Sequence, residues 1–401
     1  MSNFSRRRLA PILGLLGALG PLSIDMYLPG MPQIAYGFSV DESKVQLSLM
    51  SFFGGLMIGQ LVFGPLSDAL GRKPMLLAGL FAFVASSVGC VMADSSVAFC
   101  IWRFLQGLGG SVGFVVGLAI VRDLHSGRAA ASLISLVMVV QGVAPIVAPM
   151  IGSTIIAYAP WQMIFVSLAI FGAGCIFLVC VALPETRDAT YRTCIQPLDV
   201  IRLYQSVILD RKFLPYASVL ALAMAGFFAY LAGSSFVFIS VHGLSPTIYS
   251  ALFAINAFGL VVGAQIGPRL MTRFTPERII MVALAVYGFI AVAILSYELL
   301  HGAGTASIAS SLFIITFSVA LVMPLASALA LEPFGAVSGA ASALMGGMNF
   351  AAGTVATLFV AAFADGTAKP MLITIAFFAL SATGVAAMFF PRKSLLRASL
   401  K

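Results

Sequence analysis

The chain has 401 residues, 61% of them apolar and only 9% charged, with a mean hydropathy of +1.07 and a net charge of +8. A soluble domain carries about a quarter charged residues, and one aqueous core cannot hide so large an apolar excess. The composition is that of a polytopic membrane protein with no evident soluble domain. If the N-terminus is cytoplasmic, the 22 Lys and Arg lie in cytoplasmic segments except Lys44, Lys369 and Arg103. The basic balance then records orientation rather than a nucleic-acid partner.

Arg6-Arg7-Arg8 lead into an apolar run too long for a signal's core, without a convincing cleavage site and interrupted by Asp25, Pro29 and Pro32. It reads as an uncleaved first helix entered from the cytoplasm. A crossing takes about 20 apolar residues, and candidate segments follow at roughly 9–37, 45–64, 75–93, 97–121, 129–156, 161–183, 214–240, 246–268, 277–298, 304–331, 336–363 and 369–391. The fold expected is an all-α membrane protein of twelve transmembrane helices in two six-helix bundles, residues 1–183 and 214–401, joined by a cytoplasmic loop over 184–213. Both termini are then cytoplasmic.

Asp25 is the acid placed deep within a segment, about 24 Å from Leu9 at 1.5 Å per residue. A carboxylate in hydrocarbon is costly and tends to take up a proton, which makes Asp25 a candidate proton carrier. The alternative is an acid solvated at the outer mouth, where Pro29 and Pro32 loosen the helix. Next comes Gly64-Pro-Leu-Ser-Asp68-Ala-Leu-Gly71-Arg72-Lys73-Pro74. It reads as a short charged turn between two apolar runs, with Gly64 and Gly71 permitting a tight backbone and Pro74 opening the following helix.

Arg103 is the basic residue within an apolar stretch. It either biases the proton affinity of a neighbour or snorkels to the outer headgroups. The fifth segment carries Gly142, Pro145, Pro149 and Gly152, a spacing that collects small and helix-weakening residues on one face. Gln60, Gln106, Gln141, Asn256, Gln265 and Asn349 are amides in apolar segments, where they glue helices together or face a cavity. Asn256 and Asn349, with Phe227, Tyr230 and Phe317, are candidates for an aromatic cavity lining in the second half, suited to amphipathic molecules.

The halves resemble distant repeats: Gly64-Pro65 is matched by Gly267-Pro268, with Met271 at the position of Asp68. The five cysteines, Cys90, Cys100, Cys175, Cys180 and Cys194, form no C-x-x-C pair; most sit in apolar runs as small hydrophobes, and a Cys90–Cys100 bridge stays open. His125, His242 and His301 are scattered, so no metal site is indicated. Gly109-Gly-Ser111-Val-Gly113 fits G-x-S-x-G but lies inside a spanning segment, where it reads as helix packing rather than a nucleophile elbow. No nucleotide-binding loop is found, so the reading is not an enzyme and not an ATP-driven pump.

The pattern G-x-x-x-D-x-x-G-R-K over 64–73 resembles the loop between helices 2 and 3 of the major facilitator superfamily of secondary transporters. Arg103-Phe-Leu-Gln106-Gly107-Leu-Gly109 resembles the R-x-x-Q-G-x-G motif of its proton-coupled members. The fifth segment is similar to the antiporter motif of drug–proton exchangers, although Ala148 replaces its first glycine. Together with Pro21-Leu-Ser-Ile-Asp25-Met-Tyr-Leu-Pro29, Leu331-Glu-Pro-Phe-Gly335 and Gly339-Ala-Ala-Ser-Ala343, these look like the Bcr/CflA branch of bacterial drug–proton antiporters.

The resemblance implies a proton-driven exporter of drugs or other small organic compounds in the bacterial inner membrane, working as a monomer by alternating access and without a cofactor. It implies proton coupling at Arg103, which by its similar depth in the same bundle is expected to communicate with Asp25, and a conformational latch at Gly64, Asp68, Gly71, Arg72 and Lys73 that touches the helix beginning near Ala336. It further implies an antiporter motif at Gly142, Pro145, Pro149 and Gly152. The rival expectations are a dedicated metabolite or peptide exporter or importer on the same fold, and an uncoupled facilitator. Asp25, with Gln141, is also a candidate for substrate contact.

Overall fold

Two prolines decide where the first span stops being a regular helix. Pro29 has no N–H to give to the carbonyl of Asp25, and Pro32 has none for that of Leu28. In the computed structural model, which describes residues 6–125, 127–187 and 197–398, helix α1 (Arg6–Asp25) accordingly ends at Asp25. A 3₁₀ turn (Leu28–Gly30) follows, and α2 (Met31–Phe38) completes the span. The single helix expected over 9–37 is two helices about a break, and the break falls at the acid.

The first unit of the chain, Met1–Leu203, continues with α3 (Glu42–Leu70), α4 (Arg72–Met92), α5 (Ser96–Leu124), α6 (Gly127–Tyr158) and α7 (Gln162–Ala182), and α8 (Pro197–Ile208) carries the chain over the boundary at Leu203. The second, Tyr204–Lys401, holds α9 (Leu214–Ser235), α10 (Pro246–Leu270), α11 (Pro276–His301), α12 (Thr305–Leu331), α13 (Ser338–Ala362) and α14 (Lys369–Ala398). Among the described residues, 12 spans are long and apolar enough to cross a membrane, and no strand is present. Such a chain satisfies its backbone inside each helix, as hydrocarbon requires.

The expected charged turn over 64–74 is mostly helix. α3 runs on through Gly64, Pro65 and Asp68 to Leu70, α4 starts at Arg72, and Gly71 alone reverses the chain with φ 105° and ψ 152°. That conformation needs glycine. Gly64 does not serve a turn: it is a helical residue whose missing Cβ would face Val115 at 3.8 Å. Asp68 can stay helical because Arg72, one turn onward, answers its carboxylate. Pro74 does lie in the first turn of α4.

The interval read as a loop over 184–213 carries α8, with Val207 buried and Leu198 and Ile201 exposed. Cys194 lies outside the described residues. Cys90 and Cys100 are both free thiols, so the bridge left open does not form; Cys90 is buried on α4, within its own helix bundle.

Small residues set the packing of the first unit. A methyl group at Gly107 of α5 would fall on the Phe52 carbonyl of α3, and one at Gly113 on the Leu16 carbonyl of α1. At Gly109 it would lie 2.6 Å from both the Gly79 carbonyl oxygen and the Phe83 nitrogen of α4. α5 is therefore the helix against which α1, α3 and α4 close, with association driven by backbone approach rather than by an oil–water difference. The G-x-S-x-G run is helix packing. In the second unit α9 takes the central place, against α12, α13 and α14, and ends in a π-helical segment, Phe236–Val241.

Candidate functional site

The break after α1 places Asp25 inside the first unit. Its side chain is buried, with the residue only 5% exposed, and among the described residues no hydrogen bond or ion pair reaches the carboxylate. At this burial Asp25 is an interior acid rather than one standing in open solvent. Asp25 is also the one carboxylate among the described buried polar residues. The chemistry open to it is proton exchange: ionised it is an unpaired interior charge, protonated it is a neutral donor.

Arg103 lies in α5, 80 residues along the chain from Ser23, and is 0% exposed. It does not snorkel. Its Nη2 donates to the Ser23 carbonyl at 3.2 Å, in the last turn of α1, where helix carbonyls lack intrahelical partners. Nη1 donates to Gln106 Oε1 at 2.6 Å, and Gln106 Nε2 in turn donates to Ser87 Oγ at 2.8 Å. The guanidinium carbon stands 4.3 Å from the ring centroid of Phe52, 4.6 Å from that of Tyr27 and 5.6 Å from that of Phe165. No carboxylate pairs with it among the described residues. The two charges singled out in the sequence thus meet through one peptide, Arg103 holding the backbone two residues before Asp25, and not through a salt bridge.

α6 closes on α1 along the same line. Val140 and Gln141 fill the places that side chains at Gly14 and Gly17 would occupy, and a methyl at Gly152 would fall on the Met26 carbonyl. Pro145 and Pro149 both lie inside the continuous helix α6. Gln141 Nε2 is buried without a partner over Gly17. Of the small-residue motif, Gly152 touches the break beside Asp25.

At the basic end of the same unit, Arg72 is the hub of a second network. Nε binds Asp123 at 2.8 Å, Nη2 binds Asp68 at 2.8 Å and Nη1 donates to Ser67 Oγ at 2.7 Å. The backbone N–H groups of Arg72 and Lys73, at the start of α4, donate to Glu185 at 3.0 and 3.2 Å. A carboxylate is favoured at a helix N-terminus by its unpaired N–H groups and dipole. Lys73 Nζ reaches the Cys180 carbonyl at 3.1 Å, and Arg187 lies 3.9 Å from Asp68.

The candidates in the second unit divide. Tyr230 and Asn256 are buried and bonded to each other, Nδ2 to hydroxyl at 3.1 Å, with the Phe227 ring 6.1 Å from that of Tyr230. Phe317 lies in an apolar groove of about 210 Å³ between α10 and α12, lined also by Phe258, Val262 and Phe313. Asn349 on α13 is half-buried and leaves its Oδ1 without a partner.

Sequence reasoning missed Tyr27, Phe52 and Phe165 around Arg103, and Asp123 and Glu185 around Arg72. Asp123 and Glu185 had a local signal, each an acid just past the end of an apolar run on the side of Arg72. The rings had none, because aromatic residues in an apolar segment look alike whether they face lipid or a charge.

A family model described as Major Facilitator Superfamily matches residues 13–357. The chain is similar to the MFS-type transporter YdgK of Bacillus subtilis, 37% identical over 368 residues that cover 91% of each chain. It is likewise similar to a bicyclomycin resistance protein homolog of Haemophilus influenzae, 30% identical over 364 residues, 90% of this chain and 91% of that one. Its fold matches the crystal structure of a D-xylose-proton symporter with a TM-score of 0.75 at 15% identity, over 96% of this chain and 97% of the other.

Proposed function

The chain belongs to the major facilitator superfamily, and from that premise we propose that it is a proton-coupled antiporter exporting drugs or other small organic compounds across the bacterial inner membrane. The observation that carries this reading is the buried, partnerless Asp25 at the break of the first span, beside the peptide gripped by Arg103. A passive facilitator has no use for an acid that is costly to keep in the interior. The name of the Haemophilus relative supports the drug-efflux branch. The proton gradient is the driving force in this reading and no cofactor takes part. Both termini face the cytoplasm, the two units alternate access to a cavity for amphipathic molecules, and the chain works as a monomer.

The test is proton release in inverted vesicles energised by respiration, with a panel that includes chloramphenicol and cationic dyes. Substrate-induced release is the expected result. Substrate passage without proton movement would replace the antiporter by an uncoupled facilitator, and response to one metabolite alone would make it a dedicated carrier.

The Arg72 network has a role of its own in this reading, as a latch that steadies one transport state. Asp68 is partly exposed and Arg72 keeps Asp123 when Asp68 is lost. With Arg72 buried, Asp68 partly exposed and Asp123 a second partner, the pair is partly screened and its loss is taken at about 1 kcal/mol, which as a bias between states is about five-fold. We expect Asp68→Asn to lower turnover by about that factor while substrate affinity, measured by equilibrium binding, stays within about two-fold. Lost affinity at normal turnover would assign Asp68 to binding instead.

A further inference from the structure

A buried guanidinium without a carboxylate is expensive unless something else answers its charge. Arg103 has two hydrogen bonds, both to neutral acceptors, and an Nε with no partner. What surrounds it is aromatic. Phe52 comes from α3, Tyr27 from the turn after α1 and Phe165 from α7, so two helices and a turn each place a ring over the same cation. The rings are fixed: the Tyr27 hydroxyl bonds Ser48 Oγ at 2.7 Å, and the Phe52 backbone is locked against Gly107. Phe99 and Trp161 extend the ring contacts beyond Phe165, at 5.3 and 6.0 Å between centroids, roofing the site with carbon.

We propose that the rings of Phe52, Tyr27 and Phe165 take the place of a counter-ion to Arg103, holding its charge by cation–π contact so that Asp25 stays free to gain and lose a proton. The negative face of an aromatic ring attracts a cation without carrying charge itself. A carboxylate partner would cancel the field of Arg103, whereas a ring leaves that field acting on its surroundings. It also takes no proton, so the cage is unchanged when Asp25 titrates. The titratable groups facing the guanidinium are Tyr27 from the turn, Cys90 from α4 and Cys100 from α5. From α3 and α7 it meets the carbon rings of Phe52 and Phe165, and Asp25 on α1 is linked to it through the Ser23 peptide.

This rests on the reading of Asp25 as the proton carrier, so the readout is chosen not to need transport. Carbodiimide reacts with a protonated buried carboxyl, and labelling of Asp25 in the purified full chain can be followed against pH by mass spectrometry. Phe52→Leu and Phe165→Leu are expected to move the labelling midpoint by about half a pH unit or more. Trifluorophenylalanine at either position keeps the shape, weakens the negative ring face and is expected to do the same, which covers a leucine variant that fails to fold. Tyr27→Phe keeps its ring and is expected to leave the midpoint in place. In an Arg103→Gln background the ring substitutions are expected to add nothing. A wild-type midpoint with fluorinated rings would overturn the proposal, and so would a shift that persists without Arg103. If the wild-type chain labels at Asp25 yet moves no protons with any substrate, the transport reading fails and the cage is still judged by these midpoints.

Discussion

Asp25→Asn is expected to abolish proton release in energised inverted vesicles, a fall of about a hundred-fold or to background, while the protein folds as well as wild type. Asparagine has the shape of the protonated acid and cannot ionise. Nothing in the structure depends on the negative charge, since among the described residues the carboxylate has no ion-pair or hydrogen-bonding partner. The substitution therefore removes a titration and leaves packing intact. Thermal stability in detergent should be unchanged or higher, because an interior group that can carry an unpaired charge is replaced by one that cannot. Downhill passage of substrate, measured without a proton gradient, is expected to survive. Proton release that continues in the variant would remove Asp25 from the coupling. The carrier would then have to be sought among acids at the helix ends, such as Glu298 or Asp365, both outside the set of buried polar residues.

Gly152→Ala is the second large effect, and it acts through backbone. The new methyl would fall on the Met26 carbonyl, one residue after Asp25, and a main-chain oxygen cannot swing aside as a flexible side chain can. α6 and the break in the first span must move apart. Overpacking of this kind costs about 1–3 kcal/mol, so a clear loss of thermal stability in detergent is expected together with loss of coupled transport. Gly174→Ala on α7 is the control: nothing lies within 4 Å of its added Cβ, and alanine in an open helix position is neutral or stabilising by up to about 1 kcal/mol. If Gly152→Ala behaved like Gly174→Ala, the close contact between α6 and the break would carry no weight in either folding or transport. Gly142, Pro145 and Pro149 would then have no support here as parts of a functional motif.

What the sequence by itself determined is whatever a bilayer demands of a chain locally. Twelve spans were legible because hydrocarbon fixes both the length and the composition of a crossing helix. The charged stretch around Gly71 and the interior places of Asp25 and Arg103 were legible because charges stand out against an apolar background. The exit of the chain from helix near Asp25 was half legible: Pro29 and Pro32 announced a weak helix end, but not that α2 resumes after it. The helical course through Gly64 was misjudged because glycine and proline signal a turn only when no tertiary partner holds the helix together, and here Arg72 supplies one.

Tertiary structure alone decided the partners. Arg103 meets Ser23 across 80 residues and Arg72 meets Glu185 across 113, separations at which no local spacing carries information. It also chose which phenyl rings, among many of identical appearance, surround a cation. An apolar sequence specifies that a ring is out of water; only the packing of α1, α3, α5 and α7 specifies whether that ring faces lipid, another ring or a charge.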